Sequence, residues 1–292
     1  MGKTDVTKSW VNVETGEVIH NVSRIITEAQ EEKIKNNVLL YKTIFNQYGE
    51  FFFYKYDELL YDIQWDTALA FRFLYVCTFA DWNGCIYYDE DNKCAKESDF
   101  IMVFNKPKST VSDFVAELTE HELVYQDTNG VYRVNEQYFA KKLSDNDFKN
   151  RSIRAFHKSI RELYRKVSAR QHALVGELLK LVPFINIYTN ALCKNINEAD
   201  PNYIDPLTKQ DIQDIFRDGS DYGRKIYTKL EKLMIHGEAV IAKFTTVDHS
   251  HYVVNPRIFY RGNNINDLKA LTKQFDIATS MAKERRMKKY VH

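Results

Sequence analysis

The sequence predicts a mainly α protein with small β-hairpins, an α+β chain, and three observations predict it. Apolar residues recur at helical spacing, as at Ile226, Leu230, Leu233 and Met234. Short alternating runs are joined by polar turns, as around Asn129-Gly130. The order helix, turn, helix, hairpin is written twice. Two winged helix-turn-helix domains in tandem, joined by a long helix, are therefore expected.

The elements follow in order. Residues 10–19 alternate around Thr15-Gly16 and predict a small hairpin. Ile25–Tyr48 is polar and helical. Phe51–Tyr61 is dense in aromatics, which favours a core segment over a platform for stacked bases. Thr67–Ala80 is apolar nearly all round and reads as a buried helix, followed by Gly84 and a β-like run. Asp89-Glu90-Asp91 lacks the spacing of a calcium loop and reads as a solvated turn. Two short helices, Lys96–Phe104 and Lys108–Glu122, come next, the second capped by Ser109 or Thr110; a hairpin then turns at Asn129-Gly130.

From Asn150 to Val182 the period is helical again. Ile153, Ile160, Val167, Leu174 and Leu181 recur every seventh residue, while Arg151, Arg154, Lys158, Arg161 and Arg165 stripe another face. A helix at Leu174–Val182, a small strand at Phe184–Tyr188 and a helix at 207–216 capped by Thr208 open the second copy. A helix begins at Ser220 or Asp221 and stops at Gly237, with Arg224, Lys225, Lys229 and Lys232 opposite its apolar stripe. Strands at Ala239–Val247 and His251–Val254 form its hairpin, and a helical, basic tail starts at Asn264. The copies share the pattern Y-x-V-N-x-x-x-F at Tyr132–Phe139 and Tyr252–Phe259, by old duplication or by convergent constraint. The domains expected are 1–60, an extension; 61–150, a first, acidic winged helix for protein contact or self-association; 151–170, a basic linker helix; 171–263, a second, basic winged helix; and 264–292, a helix and basic tail.

Composition narrows the function. The net charge of +1 hides a −9 balance over residues 1–150 and +10 over 151–292. A polyanion is drawn to the second part and repelled by much of the first. No apolar run is long enough to span a membrane, and MGKTDVTKSW lacks the apolar core of a signal peptide. With 4 cysteines and no export signal, reduced thiols and a cytoplasmic location are expected. No Gly-rich phosphate loop, nucleophile elbow or H-E-x-x-H occurs, and the cysteine spacing fits no zinc pattern. No catalytic residue, metal or cofactor is assigned, and an enzyme is not expected.

Three stretches resemble the RepL-type replication proteins of plasmids and phages, over roughly 172–276 and 10–20. They are Asn255-Pro256 through Arg261-Gly262, the helix pair at 207–236, and Glu14-Thr15-Gly16-Glu17-Val18-Ile19. That resemblance implies a winged-helix protein that binds double-stranded DNA, in replication initiation or transcription regulation. Charge and position nominate Arg224 and Lys225 for bases or phosphates, supported by Tyr222, Tyr227 and Lys229. Lys243, His249 and His251 are nominated as wing contacts, Arg257 and Arg261 for the flanking backbone, and Arg151, Arg154, Lys158, Arg161 and Arg165 for a second stripe. A homodimer and the replication or transcription machinery are the candidate protein partners. The competing reading is a protein-interaction adaptor that binds polymerase or host factors through its winged helices.

Overall fold

The computed structural model describes residues 10–11, 18–19, 28–56, 66–88, 93–141, 152–216, 221–235, 237–245, 250–262 and 264–289. The chain divides into two compact units, residues 1–44 and 45–292. In the first, β1 (Trp10–Val11) pairs antiparallel with β2 (Val18–Ile19), the expected hairpin. Helix α1 covers Glu28–Tyr48.

The second unit is mixed α/β, with helices around small antiparallel sheets. Its centre is a four-stranded sheet of β3 (Phe51–Lys55), β6 (Phe139–Ala140), β7 (Ser152–Phe156) and β12 (Phe259–Tyr260), in the order β12-β7-β3-β6. The aromatic run at the start of this unit forms β3, where Phe51, Phe52, Phe53 and Tyr54 are all buried. Aromatic residues suit a strand with both faces covered, because their area is removed from water on either side.

Each outer strand closes a matching series of elements. The first series runs through α2 (Thr67–Cys77), α3 (Phe100–Phe104), α4 (Lys108–Glu120), β4 (Val124–Gln126) and β5 (Tyr132–Val134). The second contains α5 (His157–Lys166), α6 (His172–Glu177), α7 (Lys209–Phe216), α8 (Asp221–Lys232), β8 (Met234–Ile235), β9 (Glu238–Ala239), β10 (Ile241–Thr245) and β11 (Ser250–Val254). Helix α9 (Ile265–Lys289) ends the described chain.

The correspondence extends to single hydrogen bonds. Three isolated antiparallel bridges, Ala80↔Ile86, Cys85↔Arg133 and Tyr87↔Cys94, have counterparts in Ile185↔Leu192, Ala191↔Val253 and Cys193↔Pro206. The Lys96 amide is capped by Asp99 at 2.9 Å, and the Thr208 amide by Asp211 at 2.7 Å. The shared asparagine does the same work twice. Asn135 Oδ1 accepts from the Gln137 amide and Asn255 Oδ1 from the Arg257 amide, each at 2.9 Å. Such an Asx turn bends the chain out of the hairpin and into the outer strand.

The strand registers relate the halves by symmetry. Phe139 lies opposite Tyr54 and Phe259 opposite Ala155, so Phe53 and Arg154 are equivalent residues. They also face each other in the β3–β7 ladder. An approximate twofold axis therefore passes through that pair. Helices α2 and α6 meet closely, since a Cβ on Gly176 would lie 1.7 Å from the Thr67 carbonyl oxygen.

The long helix expected between the halves is replaced by a strand and shorter helical pieces. Ile153, Arg154 and Ala155 belong to β7, and the α-helical parts are His157–Lys166 and His172–Glu177. A reciprocal Ser168–Gln171 cap then restarts the chain at Val167-Ser168. Helix α6 gives way to a 3-10 segment, Leu178–Phe184, that contains Pro183. The seven-residue apolar period is real, and Ile153, Ile160, Val167 and Leu181 are buried. Strand pairing with β3 and the caps override helix continuity, because tertiary hydrogen bonds outweigh weak local propensity. Residues 151–170 are thus no linker helix, and Arg151 lies outside the described residues. The expected strand at Phe184–Tyr188 is reduced to a bridge at Ile185, and its role passes to Ala191–Cys193.

Two further corrections are local. Pro107 is the cap residue of helix α4 and no side chain caps it, so neither Ser109 nor Thr110 does so. Cys85 and Cys94 are joined in a disulfide with Cα atoms 5.8 Å apart, against the expectation of four reduced thiols; Cys77 and Cys193 stay free and buried. The Tyr87↔Cys94 bridge brings the bonded pair together.

Candidate nucleic-acid interface

Helix α8 sorts its residues by face. Ile226, Tyr227 and Leu230 are buried, while Arg224, Lys225, Lys229 and Lys232 are exposed. The apolar face packs on a core that includes Ile212 and Phe216 of α7. Lys225 and Lys229 stand one turn apart, so their ammonium groups project from the same side. Tyr222 lies on α8, and its side chain is outside the described residues.

The hairpin beside α8 is held by aromatic contacts. The ring of Tyr227 meets Tyr252 of β11 edge-on, with centroids 5.7 Å apart. Burial raises the Tyr227 hydroxyl far above its ordinary pKa. Lys209, at the start of α7, lies over the same ring at 5.1 Å. Tyr227 is therefore an anchor between helix and hairpin and not a contact residue. Lys243 is exposed on β10. His251 lies opposite Phe244, its ring stacked 5.7 Å away, and is half-buried. His249 lies outside the described residues.

Other expected contact residues serve the fold. Arg154 is buried at 5 % exposure, donates to the Gly262 carbonyl, and lies 4.9 Å over Phe53. Burial lowers its pKa to about 10. Arg161 donates to Thr78 and covers the Phe79 ring at 4.2 Å. Arg257 is forked between Glu238 at 3.0 Å and Asp276 at 2.8 Å. Arg261 is 7 % exposed and donates to Ile185 at 2.8 Å and Pro183 at 3.3 Å. Gly262 is required beside it, since a Cβ there would meet Tyr260 Oη at 2.4 Å. The Arg-Gly pair thus latches the end of the second half. Lys158 and Arg165 are exposed on α5.

A second polar cluster lies at the sheet. His157 Nδ1 is 3.0 Å from Glu50, and His157 Nε2 is 3.1 Å from Lys141 Nζ. The His157 contact holds Glu50 down at about 2, and burial lowers His157 to about 4 and Lys141 to about 8. A neutral imidazole between anion and cation joins β3, β6 and α5. The twofold axis maps Lys141 and His157 onto Arg261 and Tyr56, where Arg261 lies 5.6 Å over the ring. Both are packing devices at equivalent corners.

Among the described residues no group of His, Cys, Asp and Glu is arranged to hold a metal ion. None of their helices is long and apolar enough to cross a membrane. The face that remains is a basic helix beside a hairpin, suited to phosphate oxygens. Sequence reasoning put Arg224, Lys225, Lys229 and Lys243 on it, but missed Lys209; the Thr208–Asp211 spacing was its available signal. Comparison with family models, characterised proteins and solved structures finds no match.

Proposed function

We propose that both halves are winged helix-turn-helix modules and that the second binds double-stranded DNA in a sequence-specific manner. The protein then acts for a plasmid or phage in replication initiation or transcription regulation. One observation carries this reading: α8 exposes Arg224, Lys225 and Lys229 while its other face is clamped by Tyr227 to a hairpin bearing Lys243. In that motif such a helix enters the major groove and the hairpin rests on the flanking backbone. Arg224 reads bases and the lysines neutralise phosphates. The RepL-like stretches support the same reading, with the correction that Arg261 acts on the fold. Selection of bound duplexes from a random pool tests it. Enrichment of one motif is expected; an unenriched pool and no salt-sensitive binding would refute it.

The adaptor reading has its own support. Asp113 and Glu120 are exposed on α4, an acidic outer face that disfavours phosphate and leaves the first half available to a protein partner. An adaptor retains its partner in high salt and shows no duplex binding.

A further inference from the structure

We infer that Asp113, Glu117 and Glu120 act as a charge selector that confines the duplex to the second half. The inference rests on the DNA-binding reading above. The repeated contacts fix the alignment of α4 on α8. Asp99 corresponds to Asp211 through the paired caps, and the same offset superposes Phe114 on Ile226, Val115 on Tyr227 and Leu118 on Leu230. All six of these core-facing residues are buried. The offset also places Asp113, Glu117 and Glu120 where the second half has Lys225, Lys229 and Lys232. The inward faces match, while the outward faces are reversed in sign.

The reversal is enough to decide binding. A duplex carries one negative charge per about 1.7 Å of axis. Carboxylates pressed against that surface lie within the Debye length of about 8 Å and are repelled by several phosphates at once. Asp113 and Glu120 are exposed and bear most of this effect. Glu117 is half-buried and paired with Arg72, which also lies 3.9 Å over Phe114, so it couples the selector to the core. The first half thus keeps the frame of a groove-binding module with its outer face made repellent. One chain then occupies one stretch of duplex and leaves α4 uncovered.

The test uses the full chain, a random-sequence duplex, and salt of about 50 and about 200 mM. The wild type is expected to bind one duplex per chain by native mass spectrometry. K225E/K229E loses that binding. Adding D113K/E120K to K225E/K229E restores salt-sensitive affinity on the order of tenfold, and D113K/E120K alone binds a second duplex. The control E97K/E136K makes the same net-charge change on exposed residues elsewhere in the first half and gains nothing. If D113K/E120K gains no more than that control while keeping wild-type circular dichroism, the selector is refuted and the DNA-binding reading stands. A wild type that binds no duplex refutes the DNA-binding reading itself.

Discussion

Single residues of one type divide between surface and frame. Lys229 and Arg261 were equal candidates by charge, yet Lys229 is exposed and Arg261 holds the carbonyls of Pro183 and Ile185. Their alanine variants should therefore differ in kind. Lys229→Ala reduces the slope of log affinity against log salt by about 1 and leaves the unfolding midpoint unchanged. Arg261→Ala costs about 1–3 kcal/mol of stability, because the buried Ile185 carbonyl and the part-buried Pro183 carbonyl lose their donor. Its salt slope stays as in wild type; a reduced slope would return Arg261 to the interface. Arg224→Ala should weaken the selected site more than random duplex by about 1–3 kcal/mol, the worth of a bidentate arginine–guanine pair. Equal losses on both would exclude base reading by Arg224.

His172 gives the residue scale a pH dependence. Its ring is fully buried on α6, 4.7 Å from the ring of Tyr164, and near Phe71 of α2 and Phe114 of α4. Burial, and then Arg72 and Lys106, lower its pKa to about 4 from 6.5. A histidine depressed on folding is neutral in the native state and takes up a proton on unfolding as pH drops. Its stabilisation is thus complete above about pH 6.5 and falls by about 3 kcal/mol toward pH 4. His157 contributes in the same direction. His172→Phe should remove about half of the acid-induced loss in denaturant titrations between those pH values; an unchanged profile would refute a buried neutral ring.

At the scale of elements, the closest approach is that of α2 and α6. The Thr67 carbonyl occupies the space where any side chain at Gly176 would sit. Gly176→Ala should cost about 3 kcal/mol or more by chemical denaturation, since backbone must move to admit one methyl group. The helix pair at 207–232, the hairpin at 241–254 and the buried helix at 67–77 were readable in sequence, because each carries its own period and turn chemistry. The 150–182 segment was misread for a physical reason. Its apolar spacing fits a helix, but Ile153–Phe156 finds a strand partner in Phe51–Tyr54, 99 to 105 residues away. Periodicity holds no record of such a partner.

For the whole molecule, the shared sheet makes the halves interdependent. β3 and β7 form one ladder, and each is flanked by the outer strand of its own half. Residues 45–292 should therefore unfold in a single calorimetric transition, with equal calorimetric and van't Hoff enthalpies. A fragment of residues 152–292 leaves β7 with an unpaired edge and Arg154 without the Phe53 ring. It should show no cooperative transition; two separable transitions in the full chain would make the halves independent domains.

The amino-acid sequence by itself determined most element types outside 150–188, the doubled order, the charge contrast between the halves and the basic stripe of α8, because these depend on neighbours within a few turns of chain. Only the tertiary structure decided that Arg154, Arg161, Arg257, Arg261 and Tyr227 serve the core or its edges, and that the halves meet about one strand pair. A side chain's exposure depends on what the fold brings against it, and a cation that finds carbonyls, aromatic rings or carboxylates inside the molecule is no longer offered to a partner outside it.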